Sequence, residues 1–294
     1  MAHKNKSNWS PYKARQKNQN LADSKASESI SHFQSSYQLI KKSATNQLRG
    51  QHRRSTETFS LNEVNDRLFD VFRNHGFEDF PHSLRMKLAE FYTLLMEQQN
   101  KENFTRILNV KDAGLKHFID SLIVTKFTNL KFPLMDVGTG PGFPGIPLKI
   151  YFPNEQILLA EGVQKRVEFL KTVREKLELE KLLILGRNIN EECFYPVQGV
   201  ITRAVEDMRN TLGNVINTLQ LGGQVYFMKG PNVDPEIPMA LDAWGEFYKL
   251  KLDQAYVLPN SPHERRLIVF EKIKTRLVSD EFLEDLGLTE EFED

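Results

Sequence analysis

Residues 134–147 read LMDVGTGPGFPGIP: an apolar run, an acid, then four glycines and three prolines within eleven positions. A backbone this rich in glycine does not serve to fill a core; it lets a ligand come close to the main chain. Gly138, Gly140 and Gly142 are spaced G-x-G-x-G. The dinucleotide fingerprint G-x-G-x-x-G would need its third glycine at Phe143, and a Walker loop would need a closing Gly-Lys-Ser/Thr that is missing. Asp136 precedes the first glycine by two residues. A carboxylate there repels a pyrophosphate but favours a cationic or amino-bearing ligand.

The flanking sequence places this loop between a strand and a helix. After the loop comes a short helical run, PLKIYF, then QILLA (156–160), a strand ending at Glu161. A helix over 164–178 buries Val167, Leu170, Val173 and Leu177. LLILG (182–186) and GVITRA (199–204) read as strands, followed by a helix over 207–219 and a strand through GGQVYFMKG. Strands alternating with helices at this spacing predict βαβ units and a parallel, doubly wound sheet. KLKLDQAYVL and ERRLIVFEKI, separated only by PNSPH, leave no room for a helix and are expected to pair antiparallel at the sheet's end. Upstream, apolar stripes at helical spacing over 61–76, 83–99 and 112–127 predict a helical N-terminal portion.

Charge is unevenly spread over the 294 residues, although the formal total is zero. Residues 1–55 carry eleven Lys/Arg against Asp23 and Glu28, a net +9, while 274–294 carry two bases against eight acids, a net −6. Four segments are expected: a disordered basic arm (1–57), the helical portion (58–128), a ligand-binding α/β domain (129–273) and an acidic tail (274–294). A lone cysteine, Cys193, excludes an intramolecular disulfide framework. The seven histidines include no i, i+4 pair and no cysteine partner set, so no metal site is expected. No run approaches 18 apolar residues and no secretory signal is present, which predicts a cytoplasmic protein with no membrane association.

D-x-G-x-G-x-G, with Glu161 closing the second strand, resembles the S-adenosylmethionine loop of class I methyltransferases. That resemblance implies a Rossmann-like α/β fold: a mostly parallel seven-stranded sheet with an antiparallel last strand, helices on both faces, and the N-terminal helical portion before it. It further implies that Glu161 accepts hydrogen bonds from ribose hydroxyls, that Gly138, Gly140 and Gly142 face the methionine moiety, and that Asp136 supports its amino end. The longer segment DVGTGPGFPGIPL (136–148) is similar to the signature of the RsmG (GidB) family, which methylates N7 of a guanine in the 530 loop of 16S ribosomal RNA. NKENFT (100–105), HFIDSL (117–122), QKRVEFL (164–170), GVITRA, MKG (228–230) and ERRLIVFEK (264–272) follow the family's order. The family's cofactor contacts carry over to Gly138, Phe143, Asn188, Ile189 and Arg203. The sequence departs in three places: GRNINEE (186–192) is about two residues longer than the family's turn, Gln198 replaces an aspartate, and Glu161 replaces a shorter acid.

The implied chemistry is consistent with what the sequence lacks. N7 of guanine has an in-plane lone pair and no proton, so methyl transfer needs alignment rather than a general base. No catalytic residue is therefore assigned; Arg203 and Lys229, at the ends of strands four and five, are positioning candidates facing the cofactor's edge. Lys165, Arg166, Lys229, Arg265 and Arg266 are RNA-binding candidates near strand ends and helix starts. His117 and Asp120, one turn apart, read as a helix–helix hydrogen-bonding pair. The implied partner is 16S rRNA or the 30S subunit, with the protein monomeric. A non-catalytic, S-adenosylmethionine-sensing RNA-binding protein is the alternative; NAD-dependent oxidoreduction is disfavoured by the glycine spacing.

Overall fold

The computed structural model describes residues 59–99, 104 and 105, 107–203 and 206–277. The basic arm 1–57, Asn103 of the NKENFT segment and the acidic stretch 280–294 lie outside the described residues.

Three helical segments come first. α1 (Leu61–Asn74) starts at Ser60, whose hydroxyl accepts from the Glu63 amide while the Glu63 carboxylate accepts from the Ser60 amide. This reciprocal box satisfies two of the donors a helix leaves unpaired at its start. α2 (His82–Gln99) buries Leu88, Phe91, Tyr92 and Leu95. α3 is irregular: an α turn (Val110–Ala113), a π-helical stretch (Gly114–Ile119), a second α turn (Asp120–Leu122) and a 3-10 end (Ile123–Lys126). π turns are rare and concentrate at functional sites.

The alternating part follows: β1 (Leu134–Val137), α4 (Gly145–Tyr151), β2 (Ile157–Ala160), α5 (Gln164–Lys176), β3 (Leu182–Leu185), β4 (Val197–Arg203), α6 (Met208–Asn214), β5 (Leu219–Lys229), α7 (Glu236–Trp244), β6 (Tyr248–Val257) and β7 (Glu264–Lys272). The seven strands lie in the order β3-β2-β1-β4-β5-β7-β6. β1 to β5 are parallel, and β7 runs antiparallel to both β5 and β6. This is the expected class I methyltransferase architecture, with β7 inserted between β5 and the edge strand β6. β1 and β2 are buried at every position, as strands covered on both faces must be.

Side-chain alternation divides the sheet into two cores. Leu134, Leu159, Ile201, Tyr226, Leu267 and Val269 face α1–α5. Met135, Leu158, Val200, Phe227, Ile268 and Phe270 face α6 and α7. The helical portion thus shares one continuous apolar core with the sheet.

Several element boundaries differ from the sequence reading. The helix expected over 207–219 stops at Asn214, and the fifth strand starts at Leu219 rather than at the Gly222–Gly223 pair. α7 was not expected, because Pro238 interrupts its apolar pattern; it lies in the first helical turn, where a missing N–H costs no intrahelical bond.

Candidate active site

The chain reverses its order across the sheet between β1 and β4, with β2 and β3 on one side and β5 on the other. Ligands of open α/β sheets bind at such a switch point, beyond the carboxyl ends of the strands. The glycine loop leaves β1 there, and Arg203 ends β4.

Gly140 adopts φ +60°, and a Cβ built on it would meet nothing within 4 Å, so the loop presents bare backbone to open space. Gly145 is closed on the other side: a Cβ there would come within 2.7 Å of Asp136 Oδ2 and closer still to Leu159. Asp136 is fully buried. Its Oδ2 accepts from Thr139 Oγ1 at 2.6 Å and from the Gly145 amide at 2.7 Å, while Oδ1 has no partner among the described residues. Burial pushes its carboxyl up to about 7, against the opposing pull of those two hydrogen bonds and of Arg203. One oxygen of Asp136 therefore fastens the loop, a role its place in the sequence did not reveal, and the other remains unpaired.

Glu161 is buried just beyond β2, and its carboxylate accepts from the Gly140 amide at 2.9 Å and the Val163 amide at 2.8 Å. Arg166 Nη1 lies 3.5 Å from Glu161 Oε2. Asn188 packs on Gly162, so closely that a Cβ at Gly162 would come within 2.8 Å of Asn188 Cγ. Ile189 is buried beside it in the sequence. The turn after β3 thus reaches the turn after β2, despite its extra length.

The other wall of the loop is aromatic and charged. Phe143 is buried, and the His117 imidazole stacks on it with centroids 4.2 Å apart and planes 14° apart. The Arg203 guanidinium carbon lies 5.4 Å from the Phe143 centroid. Arg203 Nη2 stands 3.4 Å from His117 Nδ1, and Thr105 Oγ1 stands 3.0 Å from His117 Nε2. Arginine can only donate, so Nδ1 accepts and the ring proton sits on Nε2, donated to Thr105. Burial first, and the Arg203 charge second, push His117 down to about 3, which keeps the ring neutral. Thr105 is held in turn by its amide donating to Gln99 Oε1 at 2.8 Å.

Asp120 joins two strands that are remote in sequence. Its Oδ2 accepts from Arg203 Nη1 at 3.3 Å and its Oδ1 from Arg265 Nε at 3.0 Å. Arg203 Nη1 also donates to the Lys116 carbonyl, within the π turn of α3, at 3.0 Å. The expected helix–helix role of His117 and Asp120 gives way to a different one: their partners are Thr105 and the strand arginines.

The basic candidates do not form one patch. Arg203 and Arg265 converge on Asp120, on the α1–α5 face. Lys229 follows Met228, the register partner of Arg203, so it projects to the opposite face of the sheet, where Nζ donates to the Glu206 carbonyl and to Glu236. Arg203 and Lys229 both end their strands at the sheet's carboxyl edge, as the sequence predicts, but this one-residue offset puts their side chains on opposite faces, since strand side chains alternate. Arg266 likewise points away from Arg265, clamped by Asp253 and Asp234. Lys165 and Arg166 open α5, beside Glu161.

A family model described as rRNA small subunit methyltransferase G matches residues 85–254, spanning most of α2, the glycine loop and β1 through most of β6. The chain belongs to the rRNA small subunit methyltransferase G family. It is 62% identical over 232 residues to ribosomal RNA small subunit methyltransferase G 2 of Bdellovibrio bacteriovorus, covering 79% of this chain and 91% of that protein. A protein of the same name from Syntrophobacter fumaroxidans is 41% identical over 208 residues, 71% of this chain but 42% of that longer protein. Ribosomal RNA small subunit methyltransferase G of Mesoplasma florum is 36% identical over 195 residues, covering 64% and 80%. The family match covers the loop, Glu161, Asn188, Ile189 and Arg203, but ends before Arg265 and Arg266. Sequence reasoning discounted His117 and Asp120; the signal for them was a polar pair set one turn apart within an otherwise apolar helix, HFIDSLIV.

Proposed function

We propose that this chain transfers a methyl group from S-adenosylmethionine to N7 of a guanine in the 530 loop of 16S rRNA, acting as a monomer on the small subunit or its precursor in the cytoplasm. The observation that carries the reading is the 62% identity to a ribosomal RNA small subunit methyltransferase over nearly all of that relative's length.

The loop residues fit the cofactor. Gly140 offers backbone with open space before it, and Glu161 is an acceptor-only carboxylate, suited to the two donors of a ribose diol. The unpaired Asp136 Oδ1 suits an ammonium group. Gly138, Gly142 and Phe143 frame the methionine side, while Asn188 and Ile189 flank the adenine side. When bound, the sulfonium supplies an electrophilic methyl group.

The remaining task falls to the chain's own groups. Neutral His117, fixed in one tautomer between Thr105 and Arg203, lays a flat, uncharged ring on Phe143 and stiffens the loop's inner wall. Phe91 and Phe118 pack behind Phe143 and exclude water from it. Arg203, held by Asp120 and the Lys116 carbonyl, keeps one orientation at the end of β4. Holding the acceptor nitrogen in line with the transferred group removes much of the entropic barrier to an in-line displacement, and no proton need move.

The test uses the full chain, tritiated S-adenosylmethionine and small subunits from cells lacking the enzyme. Label is expected in 16S rRNA, at a position that becomes cleavable by the reduction and β-elimination that reveal 7-methylguanine. Arg203→Ala is expected to lose most of the activity. Folded protein that leaves the RNA unlabelled would refute the proposal.

A further inference from the structure

Arg203, Arg265, Asp120 and Tyr256 form a cluster whose hydrogen bonding is incomplete. Two guanidinium groups share one carboxylate, and His117 beside them is neutral, so the cluster carries one uncompensated positive charge. Arg265 uses Nε on Asp120 and Nη1 on the Glu264 carbonyl, leaving Nη2 without a partner among the described residues. Tyr256 lies directly across the β6–β7 ladder from Arg265. It is 9% exposed, and its hydroxyl has no hydrogen-bond partner among the described residues. It lies near enough to Asp120, Arg265 and Arg203 for their charges to act on it. A buried hydroxyl without a partner is costly and marks a place where a ligand or water completes the bonding.

What remains open in this cluster is donors, plus one positive charge. Guanine is a poor match. Its Watson–Crick edge offers N1–H and N2–H donors that need acceptors, and both Asp120 oxygens already accept from arginine. Donors directed at O6 would also withdraw electron density from N7, the atom that must attack. A phosphodiester is a monoanion with only acceptor oxygens, and arginine matches its geometry. Phosphate contacts fix register, while the base remains free to meet the methyl group.

We propose that Arg265, Tyr256 and Arg203, gathered on Asp120, bind a backbone phosphate of the RNA next to the methylated nucleotide. This deepens the rRNA methyltransferase reading and rests on it, but the site's presence is read from binding alone. Asp120 acts as a positioning residue, setting the spacing of the two guanidinium groups.

The experiment measures affinity of the full chain for protein-free 16S rRNA over a range of salt concentrations, with calorimetric cofactor affinity as the check on folding. Arg265→Gln is expected to flatten the slope of log affinity against log salt by about 0.7, the value for one phosphate of a single strand. Arg265→Lys, which keeps the charge, is expected to retain the slope. Tyr256→Phe is expected to keep the slope but weaken binding about tenfold, as for a lost hydrogen bond to a charged group. An Arg265→Gln protein with intact cofactor affinity and an unchanged slope overturns the proposal, as does a Tyr256→Phe protein with unchanged affinity. If Arg265→Gln does not fold, the Tyr256→Phe result decides. Failure of the methyltransferase reading itself appears separately, as wild-type protein that binds RNA but does not label it.

Discussion

Asp136→Asn isolates the electrostatic strain of the glycine loop. The buried carboxyl is displaced from an ordinary 3.8 to about 7, chiefly by burial. Between those values the folded chain holds a proton that the unfolded chain has released. Stability therefore falls as pH rises through that window, by about 1.4 kcal/mol per pH unit, and levels off above about 7. Asparagine is neutral throughout and keeps an oxygen for Thr139 and the Gly145 amide, but its amide group brings donors without acceptors, at about 1–3 kcal/mol. That cost does not depend on pH. The gap between variant and wild type should therefore move in the variant's favour by about 2.7 kcal/mol from pH 5 to pH 8, because only the interval from 5 to about 7 contributes. Urea unfolding of both proteins at the two pH values, without cofactor, measures it. Taking the difference between the proteins cancels every other titrating group. A gap constant to within about 0.5 kcal/mol would show that the carboxylate is not strained and that the account of the loop is mistaken.

Four further outcomes follow from the same geometry. Gly145→Ala should destabilise the protein by about 1–3 kcal/mol because its Cβ meets Asp136 and Leu159. Gly140→Ala should cost about 1–2 kcal/mol for its left-handed backbone yet weaken cofactor binding in calorimetry, and wild-type affinity there would contradict the open-face reading. Glu161→Gln should reduce cofactor affinity on the order of tenfold and destabilise the protein by about 1–3 kcal/mol, since the amide oxygen can accept only one of the two backbone N–H groups and the NH2 opposes the other. His117 is depressed to about 3, so its contribution to stability is complete above its unfolded value near 6.5 and is lost as pH falls toward 3. His117→Gln should make the acid limb of the stability–pH curve shallower, and an unaltered limb would mean that the ring is not buried neutral.

The parts of this protein legible in the sequence are those set by local chemistry. The spacing of Gly138, Gly140 and Gly142 excluded the dinucleotide loop before any strand was placed. The alternation of apolar runs predicted five parallel strands and an antiparallel pair, because a strand covered on both faces must be apolar throughout. Glu161 was recognisable from its place after a strand. α7 was hidden because a proline's meaning depends on whether it falls in the first helical turn, and sequence periodicity does not settle that boundary.

What only the tertiary structure decided concerns sides and partners. Arg203 and Lys229 look equivalent at two strand ends, yet the register of β4 on β5 sends them to opposite faces. Asp120 and Arg265 are 145 residues apart and meet only because β7 inserts antiparallel between β5 and β6. The π turn of α3 supplies the Lys116 carbonyl to Arg203, and burial turns His117 from an ordinary titrating ring into a neutral plate on Phe143. The sequence by itself determined the glycine loop, since a loop's backbone freedom is a local property. The charged wall facing that loop depends on strand order and burial, which exist only once the chain has folded.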